Sequence, residues 1–150
     1  MTGPALWLER ATPTSPRTVN DLIARTMHER RRVMAEWREW AGWEAKGHPP
    51  ITGPVTVTVL HLRATHRTMP DVGALFLVAK AVIDGLVDAK VLPGDGPDVV
   101  TSLTLEAPVV VGYHGLRIIV RPVEQHVTKD QPPPSTGPLT LPIMTPGEST

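Results

Sequence analysis

The spacing of apolar residues divides this chain into segments of three kinds. Between Val19 and Trp43, Ile23, Met27, Met34, Trp37 and Ala41 recur at three- and four-residue steps. That period predicts one long helix, entered after Pro13 and Pro16 and closed by Gly42, Gly47 and Pro49-Pro50. In Pro54 to Leu62 the valines Val55, Val57 and Val59 alternate with Thr56, Thr58 and Leu60, the period-two pattern of a strand. Residues 74 to 89, ALFLVAKAVIDGLVDA, are apolar on nearly every face and predict a buried helix. Val99 to Leu105 and Leu116 to Val120 are further β-branched runs separated by a turn at Gly112 to Gly115, and Ala5 to Ala11 is a weaker first strand. About four strands interrupted by two unlike helices predict an α+β domain, a small mixed sheet with a helix layer on one face.

Composition narrows this picture. The chain has 150 residues, the length of one domain, but 17 Pro and 12 Gly are hard to place in an evenly packed fold of that size. Six of the prolines, from Pro132 to Pro146, fall after Glu124 among Ser and Thr with no apolar period. The expectation is a domain over 1–123 and a disordered Pro-rich tail over 124–150, with Pro132-Pro133-Pro134 as an alternative polyproline ligand for a partner. The absence of Cys excludes disulfides, thiolate nucleophiles and Cys-ligated metals. The longest apolar run, Ala74 to Ala79, is far too short to span a bilayer, and the N-terminus lacks the order of a signal peptide. A soluble, cytoplasmic protein without membrane contact is expected.

Fifteen basic and fifteen acidic residues cancel, so any contact with nucleic acid must come from a local patch. Arg30-Arg31-Arg32 is one candidate for phosphate contact. The alternative is a solvated helix face in which Arg25, Arg30, Arg31, Arg32 and Arg38 pair with Glu29, Glu36 and Glu39. His61 and His66 lie in or just after a strand and read as polar surface, since no two histidines make a metal-binding i,i+4 pair. Trp37, Trp40 and Trp43 fall on more than one helix face, which leaves core packing, a dimer contact and base stacking all open.

The segment with the most chemistry is the apolar helix, whose body carries Lys80 and Asp84 one turn apart. Burying charge is costly unless it is paired or used. Asp71 lies in the tight turn before this helix, and Asp95 in the Gly/Pro-rich loop after it. Two carboxylates and an ammonium converging there would suit Mg²⁺-assisted phosphodiester hydrolysis. The alternatives are a Lys80–Asp84 surface pair and aspartates that serve as turn formers.

The run Met69 to Val100, MPDVGALFLVAKAVIDGLVDAKVLPGDGPDVV, resembles the signature of the RusA-like Holliday-junction endonucleases of phages and prophages. That signature has Asp-x-Asp-Asn-Leu, then a helical Lys, then Asp-Gly-Leu-Val-Asp-Ala and an acidic loop. Asp71 stands at the first Asp, Leu75 at the Leu, Lys80 at the Lys, Asp84 to Ala89 at the helix end and Asp95 in the acidic loop. Pro13 to Leu22 is similar to the family's N-terminal element. The resemblance implies a Mg²⁺-dependent (or Mn²⁺-dependent) endodeoxyribonuclease that resolves four-way DNA junctions as a homodimer. It assigns Asp71 and Asp95 as metal ligands, and Asp71, Lys80 and Asp95 as catalytic residues.

Two positions depart from the pattern: Gly73 replaces the second Asp and Ala74 the Asn. Neither has a ligating side chain, so a metal would lose one carboxylate and its orienting amide. Three expectations follow: a working nuclease, a homologue that keeps the fold and junction binding without cleavage, and a protein-interaction module that uses the tail and the Trp-rich helix.

Overall fold

The computed structural model describes residues 5–124; the expected tail lies, beyond Glu124, outside the described residues. The fold is α+β. Five strands, β1 (Leu6–Thr12), β2 (Val55–Arg63), β3 (Val100–Leu105), β4 (Val109–Val110) and β5 (His114–Pro122), form one mixed sheet in the order β1-β5-β2-β3, with β4 also on β2. The three helices are α1 (Val19–Ile23), α2 (Met27–Glu44) and α3 (Phe76–Asp88), the last preceded by a 3₁₀ turn at Val72–Leu75.

Alternation along the strands decides which face is buried. Val55, Val57 and Val59 of β2, Leu116, Ile118 and Val120 of β5, and Leu6 and Leu8 of β1 point to one side, in register as Leu6↔Val120↔Val57 and Leu8↔Ile118↔Val59. Trp37, Ala41 and Ala45 from α2 and its end, and Val78, Val82 and Leu86 from α3, close over them as one core. The helix layer therefore lies on one face, as the pattern predicts. Gly85 sets how closely the two helices cross, because a Cβ there would press into the Arg38 carbonyl and the Ala41 side chain. At this crossing Arg38 reaches Asp88 through two charge-assisted hydrogen bonds of 2.5 and 2.8 Å.

One expectation about connectivity changes. The single helix over Val19–Trp43 is broken at residues 24–26, where Thr26 caps α2. Its hydroxyl accepts the Glu29 N–H at 3.2 Å, while the Glu29 carboxylate accepts the Thr26 N–H at 3.1 Å. Thr18 and Asp21 do the same for α1. The break takes Ile23, 61% exposed, off the helix that carries the buried Trp37 and Ala41, and Met27, 62% exposed, is left in the first turn of α2 although sequence spacing placed it on their face. The two β-branched runs, β3 and β5, are not neighbours in the sheet. The crossover through α3 sets β3 parallel to β2, β5 lies antiparallel on the other side of β2, and the short β4 extends the β3 side at Leu62↔Val109. The expected turn carries Gly112 at φ 89°, where a Cβ would be strained. Among the described residues no helix is long and apolar enough to cross a membrane.

Candidate functional site

Lys80 and Asp84 occupy the edge of α3 that the core leaves uncovered, and the 93–98 loop folds back against that edge. Lys80 Nζ donates to Asp84 Oδ1 at 2.7 Å and to Asp95 Oδ2 at 2.5 Å. Asp84 and then Asp95 raise the ammonium above the usual lysine range, and Lys80 holds the Asp95 carboxyl below the usual carboxylate range. All three side chains keep contact with solvent, from 30% to 50% exposed, so the cluster orders the loop more than it stabilises the fold. Lys80 and Asp95 thus meet, as the spacing allows, with Asp84 as the third member.

Asp71 lies outside this cluster of bonds. It precedes the 3₁₀ turn, where its carbonyl accepts the Ala74 N–H at 3.0 Å, but its carboxylate makes no capping bond and no hydrogen bond or ion pair among the described residues. Its hollow of about 370 Å³ also holds Asn20, Pro70, Gly73 and Ala74. A Cβ on Gly73 would meet nothing within 4 Å, and its φ is not left-handed. The backbone therefore does not require glycine there; a carboxylate is simply absent. Among the described residues no three His, Asp or Glu side chains are grouped to hold a metal ion. Lys80 bonds Asp84 and Asp95 but not Asp71, and none of Lys80, Asp84 and Asp95 lines the hollow that holds Asp71; with Gly73 and Ala74 beside it, that hollow offers a Mg²⁺ ion Asp71 as its one carboxylate.

A second polar cluster lies where the 12–18 segment crosses the end of β2. His61 is not polar surface: it is 3% exposed, because it continues the inward row Val55, Val57, Val59. Its Nε2 lies 3.1 Å from Ser15 Oγ, which accepts from Arg63 Nη1 at 2.5 Å. Arg63 Nη2 donates to the carbonyls of Arg67 and Thr68, both at 3.1 Å. His61 Nδ1 and Arg63 Nε are buried without partners. Burial, then the Arg63 and His114 charges, lower the imidazole to a pKa of about 4, so it is neutral at pH 7. The i,i+2 alternation of β2 is the sequence signal that would have placed His61 inside.

The Arg30-Arg31-Arg32 run is divided in the structure. Arg30 donates to the Leu22 and Ile23 carbonyls at 3.0 and 3.3 Å, satisfying the C-terminus of α1. Arg32 lies 4.0 Å from Glu36, one i,i+4 pair of the kind a solvated face predicts, and Arg38 pairs across to α3. Of the helical tryptophans, Trp37 is core and Trp43 is 69% exposed. No protein-family model, curated protein or solved structure matches this chain.

Proposed function

We propose that this chain is a RusA-like domain that binds branched DNA, four-way junctions above all, and that its cleavage site is reduced below what Mg²⁺-dependent hydrolysis needs. The α+β fold with its helix layer agrees with the resemblance carried by residues 69 to 100. The observation that carries the reading is the hollow that holds Asp71, where Gly73 and Ala74 supply no second carboxylate or amide, a Cβ on Gly73 would meet open space, and none of Lys80, Asp84 and Asp95 contributes to the lining. Lys80 is already neutralised by two carboxylates, so it presents little free charge to a phosphate. A homodimer would match the two-fold symmetry of a junction.

Cleavage by the natural chain is the second reading, favoured by the direct contact of Lys80 with Asp95, the two residues that the resemblance assigns to one site with Asp71. Fluorescence anisotropy and gel cleavage assays on one labelled four-way junction, beside a linear duplex of equal length, separate the two. Tighter binding of the junction, unchanged in Asp71→Asn and without cleavage in millimolar Mg²⁺ or Mn²⁺, is the expected result. Cleavage by the natural chain, lost in Asp71→Asn or Lys80→Ala, would establish the second reading instead. Equal binding of junction and duplex would remove both.

A further inference from the structure

The net charge is zero, yet the positive charge is not evenly spread. A groove of about 260 Å³ runs between the 12–17 segment and the first half of α2, and its charged lining is Arg10, Arg17, Arg25, Arg32 and Glu36. That is four cations against one carboxylate. A second hollow, about 400 Å³, shares Thr14, Ser15, Pro16 and Arg17 with the first and adds Arg63 and Asp21. This hollow in turn shares Thr18 and Pro70 with the one that holds Asp71. The three therefore form one track, from Trp37 past Ser15 to Asp71, with five arginines along its first two parts.

Most of this charge is unanswered within the fold. Arg17 and Arg25 make no hydrogen bond or ion pair through their side chains among the described residues. Glu29 feels the charges of Arg25 and Arg32, but its carboxylate is engaged with the Thr26 N–H and hydroxyl at 3.1 and 3.0 Å. The guanidinium carbon of Arg10 lies 4.8 Å over the Trp37 ring and 5.8 Å from that of Trp40, and the guanidinium N–H groups make no hydrogen bond or ion pair among the described residues, so they can serve an anion. Arg63 gives its donors to a hydroxyl and two carbonyls, with no carboxylate as partner and Nε buried without one. A partly buried guanidinium without a counter-charge is costly unless an anion answers it.

From this geometry we infer that the Arg10–Arg17–Arg25–Arg32 groove is the binding track for one phosphodiester strand of a nucleic acid, leading it toward Asp71. Four guanidiniums brought to one groove from β1, the 12–17 segment, the break before α2 and α2 itself suit repeated phosphates better than a single one, and arginine's fork matches phosphate oxygens in two bonds. The inference rests on the DNA-binding reading above but not on junction preference or cleavage.

The test is anisotropy on a four-way junction and a single strand of the same length, over a salt series, with Arg17→Ala/Arg25→Ala. The charge-matched control is Lys46→Ala/Arg121→Ala, two exposed residues off the track. The groove variant is expected to bind both DNAs about 10-fold more weakly or worse, with the slope of log affinity against log salt reduced by about 1.5 to 2. The control should stay within about 2-fold of the natural chain, and melting temperatures should confirm that both variants fold. Equal losses in the two variants, or none in the groove variant, would overturn the track while leaving junction preference intact. Loss in the groove variant without any junction preference would keep the track and remove the branched-DNA reading. No binding of either DNA by the natural chain would remove both. Binding of phosphatidylserine vesicles that the groove mutations abolish, stronger than binding of DNA, would assign the track to a membrane surface and overturn the inference.

Discussion

Two charged regions of this molecule are built on opposite plans. Around Lys80 every charge is answered: the ammonium sits between Asp84 and Asp95, and one turn on Arg38 is paired with Asp88. Along the 12–18 segment the arginines outnumber the carboxylates, and Arg63 carries a charge that no acid pairs with. Closed sets of charge fasten one element to another, here loop to helix and helix to helix. Open sets leave a field that a ligand can satisfy. The residues most conspicuous as chemistry in the sequence belong to the closed kind.

The sharpest way to break the contrast is to refill the hollow around Asp71, where the open track ends. Gly73→Asp with Ala74→Asn adds a carboxylate and an amide beside Asp71, and the free space at Gly73 admits the change without strain. Mg²⁺-dependent junction cleavage is expected to rise about 100-fold or more above the natural chain, the effect of one positioned catalytic group. An unchanged gel assay in a variant with an unchanged melting curve would mean that the missing side chains are not what silences the site.

Packing, not ion pairing, should hold the closed region. Gly85→Val drives a branched side chain into Arg38 and Ala41 at the α2–α3 crossing; denaturant unfolding should show a loss of about 3 kcal/mol.

The open region has its own signature in pH. His61 titrates near 4 in the fold against 6.5 in the unfolded chain, so between these values the unfolded state binds more protons. Stability is then complete above about pH 6.5 and falls as pH drops toward 4, by up to about 3 kcal/mol. Carboxylates held low, including Asp88 and Asp95, act mainly below that window. Urea midpoints from pH 7 to 4 for the natural chain and His61→Gln check this: the slope should flatten in the variant.

The smallest effect is expected from Lys80→Met. Its i,i+4 pair with Asp84 is partly solvated, so chemical denaturation should register only about 0.5 kcal/mol. A loss of several kcal/mol would show that the cluster is structural to a degree its exposure does not suggest.

Much of the architecture was readable in advance. The alternation of Val55, Val57 and Val59 located the central strand, and the all-round apolarity of residues 74 to 89 located the buried helix, because side-chain period and burial are local consequences of backbone geometry. The break before α2 was also present in the sequence, as Thr26 with Glu29 three residues on, but the apolar spacing across it suggested a continuous helix. For the candidate site, the pairing of Lys80 with Asp84 followed from helical spacing, and Asp95 was legible only as a member of the loop that could reach them.

The sequence by itself determined the types of the main elements, the inward row Val55, Val57 and Val59 of the central strand and the loss of two side chains at Gly73 and Ala74, since each depends on residue identity and short-range period. Only the tertiary structure decided the strand order that puts β2 between β5 and β3. It also decided that Asp71 lines a hollow to which Lys80 and Asp95 do not contribute, and that Arg10, Arg17, Arg25 and Arg32, spread over 23 positions, line one groove. The physical reason is range. Dihedral preferences and side-chain periodicity act over a few residues. The meeting of distant charges is set by how helices and sheet pack to exclude water, which no local pattern encodes.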